Sequence, residues 1–234
     1  GYAEEAILLG ERSHAVPREL DAVSAIGAHV THGTAWFALH QRGKVRPGET
    51  VLVLAAAGGV GSAAVQMASA FGCWVAAAAA GEQKTAFCHE LGADLVIDYD
   101  SDDLYQGIMD ATDGRGVDVV YDPVGGRYFD IARRLLAFEG RLLVVGFASG
   151  NIPSAPANHA LVKNYSIVGV HMGAYRERHL PLVQQCYTEV HAALLAGTYR
   201  PVVTETIDFD ALPQTLKRLA DRQTMGRIVF IPTH

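Results

Sequence analysis

Charge is what the middle of this chain lacks: from Thr50 to Gly81, thirty-two residues pass without one Asp, Glu, Lys or Arg. Cysteine is scarce too. Cys73, Cys88 and Cys186 are an odd number with no C-x-x-C pair, which argues against a disulfide framework and for a reducing, cytoplasmic compartment. Basic runs are missing, and with a net charge of −6 no nucleic-acid or anionic-membrane surface is expected. No G-x-S-x-G motif occurs, so nothing points to a serine hydrolase. His29 and His32 lie three apart, but no third ligand is nearby and no metal site is expected. The opening Gly1-Tyr2-Ala3-Glu4-Glu5 has neither the basic start nor the apolar stretch of a secretory signal, and the chain reads as the remainder of something longer.

The charge-free stretch has an internal order. A strand-like run, Thr50 to Leu54, meets Ala55-Ala56-Ala57-Gly58-Gly59-Val60-Gly61; a small-residue helix, Ser62 to Phe71, and a second strand, Trp74 to Ala78, follow. A run this long and apolar also fits a membrane helix. Gly58, Gly59, Gly61, Gly72 and Gln66, with the change of composition at Ala55, favour a parallel sheet covered on both faces. The unit then reads as βαβ with a phosphate-binding first turn. Gly58 lets backbone N–H groups approach phosphate oxygens, Gly61 lets the helix pack on the first strand, and the helix N-terminus adds about half a positive charge. Ala56 stands at the first position of G-x-G-x-x-G, so the strict motif is broken, and a nucleotide-free α/β core is the plainer alternative.

Alternation continues downstream. Helices are expected at Glu82–Leu91, Asp102–Ala111, Tyr128–Phe138 and near Asn158–Val162, with strands at Leu95–Ile97, Val117–Tyr121, Arg141–Val145 and Ser166–Val170. Six strands in β-α order predict an α/β fold, a doubly wound six-stranded parallel (Rossmann) sheet. Outside this block, Ala6 to Leu9 reads as a strand and residues 19–43 as two helices around Gly27 and Gly33. A long helix, Leu180 to Ala196, leads to the strand Pro201–Thr204, a helix Ala211–Leu219 and the strand Arg227–Ile231. The terminal strands find no evident partners in the block.

The ends of the charge-free stretch bear on which dinucleotide is held. In NAD sites a carboxylate about twenty residues past the last glycine holds the adenine ribose. Here that position falls on Ala79, Ala80 and Gly81. A carboxylate about 4 Å from a 2′-phosphate would cost several kcal/mol at an effective dielectric near 20, so its absence favours NADPH. Lys84, one helical turn on, is placed to neutralise the phosphate, although it also reads as a solvated helix lysine; Glu82 reads as a first-turn acid favoured by the helix dipole.

These residues resemble the zinc-independent, zeta-crystallin-like quinone oxidoreductases of the medium-chain dehydrogenase/reductase superfamily. The family's A-x-x-G-x-x-G stands as Ala55, Gly58 and Gly61, and the likeness continues through residues 91–99, 114–126, 140–150 and 163–170. The resemblance implies an NADPH-dependent enzyme that passes hydride to a quinone or conjugated carbonyl without metal. An enone or enoyl-thioester reductase, or an NADPH-binding module without turnover, are the alternatives. It implies cofactor contacts from Thr34 at the nicotinamide end and from Gly58, Gly59, Val60 and Gly61 at the pyrophosphate. Gly81, Lys84 and Tyr99 would serve the 2′-phosphate and adenine ribose, Phe147, Ala148 and Ser149 the loop beside the nicotinamide, and Arg222 the C-terminal side. Tyr99 as a strand cap, Phe147 as core and Arg222 as a surface charge are the bland alternatives.

By the same resemblance, most of an N-terminal GroES-like domain is absent. Residues 1–18 and 201–234 are then its remnants, and 19–200 the NADP-binding domain with its leading helices. The family's substrate-side tyrosines would lie in the absent part, so no catalytic residue is assigned. Relatives pair their sixth strands edge to edge, which implies a homodimer through Ser166–Val170.

Overall fold

A computed structural model describes residues 2–8, 10 and 13–232. Leu9, at the end of the first expected strand, lies outside the described residues, as do Gly1, Glu11, Arg12, Thr233 and His234.

Six parallel strands form the centre: β1 (Thr50–Leu54), β2 (Trp74–Ala79), β3 (Leu95–Asp98), β4 (Val117–Asp122), β5 (Leu136–Val144) and β6 (Ser166–Gly169). Their order is β3-β2-β1-β4-β5-β6, the doubly wound arrangement expected from the β-α alternation. Strand order reverses between β1 and β4, the switch point at whose carboxyl ends such sheets bind ligands. Both faces are covered, so β1 and β2 carry no charge. Val51 and Val53 pack into one apolar layer, while Leu52 and Leu54 pack into the other.

The first layer lies under α1 (Ala22–Trp36), α2 (Gly59–Ala70) and α8 (Leu180–Leu195), the second under α4 (Leu104–Ala111), α5 (Gly126–Leu135) and the facing side of α6 (Ala157–Lys163). Helix α3 (Glu82–Glu90) packs its buried Cys88 into the first layer, and α7 (Met172–Arg178) contributes Met172 there. Side chains fix several starts: Asp21 accepts from Ser24 N–H at 2.9 Å, and Asp103 accepts from Tyr105 and Gln106 N–H.

Three expectations are corrected. Residues 19–43 do not break into two helices at Gly27 and Gly33; α1 runs through both and continues as a π-helical stretch, Phe37–Arg42. Both glycines serve close packing, since a Cβ on Gly27 would stand 2.7 Å from Val203 and one on Gly33 2.9 Å from Met172. The helix expected at Tyr128–Phe138 ends at Leu135, because Leu136 turns extended and pairs with Val117. Ala6, Ile7 and Leu8 form no strand, and Ile7 and Leu8 are exposed.

The last two strands, β7 (Val203–Ile207) and β8 (Arg227–Phe230), find each other. They pair in parallel across α9 (Leu212–Ala220), and a bridge between Gly226 and Gly58 fastens this small sheet to the turn after β1.

Candidate dinucleotide site

At the end of β1 the backbone enters the left-handed region at Ala55 (φ 49°), and Gly58 caps α2. Gly58 N–H is spent on Ala55 O at 3.0 Å, and Ser62 N–H donates to Gly58 O. Gly59, Val60 and Gly61 N–H are the unpaired donors of the helix start among the described residues, at the carboxyl end of β1 beside the switch point between β1 and β4. Gly61 is there for contact: a Cβ would land on Ala55 O and approach Ala56 Cα to 2.8 Å. The A-x-x-G-x-x-G spacing is thus a packing rule as much as a phosphate rule.

Tyr99 lies under this turn. Its hydroxyl accepts Ala55 N–H at 3.0 Å, its ring lies 4.3 Å from that of Tyr128, and burial pushes its phenol well above the usual range. The side chain expected at the ribose thus holds the turn in place. Gly81 (φ +85°) caps α3 with open space around its Cα, but its N–H is taken by Asp98 Oδ1 at 2.9 Å. Asp98, from the end of β3, escaped the sequence analysis. Its bonds from Gly81 and Asp100 N–H hold the carboxyl below the ordinary range. The only sequence signal for it is an acid beside Tyr99, one strand away from the place where an acid was sought.

Lys84 extends from α3 to Arg222 O at 2.6 Å, bringing together two residues 138 positions apart. Arg222 sits in the left-handed region (φ 59°) just past α9, a strained conformation for a non-glycine residue. One turn region, residues 221–227, thus runs from Lys84 to the Gly58 turn.

Beyond β4, Phe147, Ala148 and Ser149 follow β5. Ala148 N–H donates to Pro123 O and Ser149 N–H to Val124 O, both at 3.0 Å, while Phe147 stays exposed. That loop hangs on Asp122, a second residue missed in the sequence. Asp122 is buried at the end of β4; Oδ1 accepts Val124 and Gly125 N–H, each at 2.8 Å, and Oδ2 has no partner among the described residues. Burial pushes its carboxyl up, against the pull of those two N–H groups. The Asp-Pro step before Gly125-Gly126 was its signal. Thr34 directs its hydroxyl to Met172 Sδ at 3.8 Å.

The two histidines of α1 do not converge. His29 stacks on Tyr187 at 4.5 Å and faces Arg176, whereas His32 bonds Thr31 and lies against Tyr199. Among the described residues no group of three or more His, Cys, Asp or Glu is gathered for a metal ion, and no helix is long and apolar enough to cross a membrane.

A family model, zinc-binding dehydrogenase, matches residues 59–187, from the open start of α2 into α8. The chain belongs to this family. Within the medium-chain dehydrogenase/reductase superfamily its relatives are of the quinone oxidoreductase-like kind, as the motifs imply. It is similar to quinone oxidoreductase-like protein 2 of Bos taurus, 34% identical over 98% of this chain and 66% of that one. It is similar also to 2-haloacrylate reductase of a Burkholderia species, 29% identical over 99% of this chain and 70% of the relative. A mycobacterial protein solved in complex with NADPH superposes with a TM-score of 0.87 at 28% identity, covering 93% of this chain and 67% of the other. The chain thus spans about two thirds of the length of these relatives.

Proposed function

We propose that this chain is the NADPH-binding part of an oxidoreductase that passes hydride to a quinone or another conjugated carbonyl. One observation carries the reading: the N–H groups at the start of α2 are unpaired at the switch point of the sheet, and Lys84 is held beside the charge-free end of β2. The structure of the NADPH-bound mycobacterial relative and the name of the bovine one support it.

In this reading Gly59, Val60 and Gly61 hold the pyrophosphate. Lys84 and Arg222 neutralise the 2′-phosphate in the open space above Gly81, and Tyr99 supports the turn from below. Phe147, Ala148 and Ser149, with Thr34, border the nicotinamide end and exclude water there. Bound NADPH supplies the hydride; one solvent proton completes reduction of the acceptor, and NADP⁺ is left. We take residues 1–18 and 201–234 as parts of a GroES-like domain, Ser166–Gly169 as the edge of a homodimer, and a reducing compartment as the setting for the three buried thiols.

The haloacrylate reductase relative favours a second reading, reduction of an activated carbon–carbon double bond. Steady-state NADPH oxidation with 1,4-benzoquinone, 9,10-phenanthrenequinone and an alkenal separates the two. Turnover with the quinones is expected. Turnover of the alkenal alone would support the second reading, and NADPH binding without turnover of any acceptor, in this chain and in a longer form, would leave a binding module.

A further inference from the structure

Arg227 opens β8, and its side chain lies across the start of α2. A Cβ on Gly59 would stand 2.7 Å from Arg227 Cδ and 3.3 Å from Cγ, so the missing side chain at Gly59 is what admits the arginine. The backbone is held on both sides: Arg227 N–H donates to Val202 O at 2.7 Å, and Gly226 N–H to Ala57 O at 2.8 Å. The guanidinium has no hydrogen bond, ion pair or ring contact among the described residues, and its Nε is buried without a partner. A buried donor of a permanently charged group is costly unless something accepts from it. The Arg227 stem lies against Gly59, which with Val60 and Gly61 carries the unpaired N–H groups at the start of α2. An anion held by those N–H groups would give the guanidinium an acceptor.

We infer that Arg227 is a pyrophosphate ligand, reaching the dinucleotide from beside the glycine turn, over Gly59. The inference rests on the dinucleotide reading but adds a residue that no motif flagged, and it gives the return of the chain through β8 a role in binding. Planar guanidinium and the α2 N–H groups would share the pyrophosphate oxygens, with Arg222 on the same segment and Lys84 on α3 at the 2′-phosphate.

Isothermal titration of the full chain with NADPH, NADH and inorganic pyrophosphate tests this, using wild type, Arg227→Met, Arg227→Lys and Lys84→Ala. Met keeps the packed stem over Gly59, and circular dichroism confirms the fold. Arg227→Met is expected to weaken all three ligands by about tenfold or more, since all share the pyrophosphate, and Arg227→Lys to restore part of it. Lys84→Ala should weaken NADPH alone. If wild type binds pyrophosphate but neither dinucleotide, and Arg227→Met loses pyrophosphate, the arginine site stands and the NADPH reading falls. Equal affinities in wild type and Arg227→Met, or no pyrophosphate binding by wild type, would overturn the inference.

Discussion

Single residues in this protein are constrained by what a few atoms would meet. Gly61→Ala places a methyl on the Ala55 carbonyl, with backbone on both sides and no flexible side chain to yield. Overpacking of this kind costs about 1–3 kcal/mol, and here it also moves the donors of the turn. A lower urea midpoint together with loss of dinucleotide binding is expected; a variant as stable and as competent as wild type would show that the close approach is unimportant. His32 is a different kind of constraint. Burial lowers its pKa from 6.5 to about 4, and Nε2 has no partner among the described residues. The unfolded chain takes up this proton below pH 6.5 while the folded chain resists it, so the contribution is complete above pH 6.5 and lost as pH falls toward 4. The loss is on the order of 3 kcal/mol. Urea midpoints at pH 7 and pH 4.5 should differ accordingly in wild type and less in His32→Gln; an identical drop in both would assign the acid sensitivity elsewhere.

At the scale of elements, the turn between β1 and α2 is built by strands that lie far away in sequence. Tyr99, at the end of β3, holds Ala55 N–H, and Gly226, before β8, holds Ala57 O. Tyr99→Phe leaves the Ala55 N–H without its acceptor, a cost of about 1–3 kcal/mol. A lower melting temperature with weaker NADPH binding is expected, and an unchanged pair of values would confine Tyr99 to the ribose. The same distinction explains what could be read from the sequence. The strands β1 to β6 and the glycine turn were legible because each is a local pattern: a charge-free run, a glycine spacing, an alternation. Asp98, Asp122 and Arg227 were not, because each acts through a partner that only the folded chain brings near. The helix α1 was misread for a related reason. Gly27 and Gly33 resemble breaks locally, and only the neighbouring Val203 and Met172 show that they are contact points.

For the whole molecule, β6 remains an open edge of the sheet, with Ile167 exposed at 41%. Unpaired edges invite a second copy, and the proposed homodimer uses this one. Ile167→Lys should lower the mass in light scattering from dimer to monomer, whereas a monomeric wild type would show that this edge does not pair with a second copy. The proposed site draws on distant elements: the start of α2 for the unpaired donors, α3 for Lys84, and the returning segment for Arg222 and Arg227. We propose that this site selects a 2′-phosphorylated dinucleotide. Calorimetric affinities for NADPH and NADH, measured on wild type and Lys84→Ala, test it most directly. NADPH is expected to bind wild type about tenfold tighter or more, with the gap closing in the variant; equal affinities in wild type, or a gap untouched by the substitution, would contradict it.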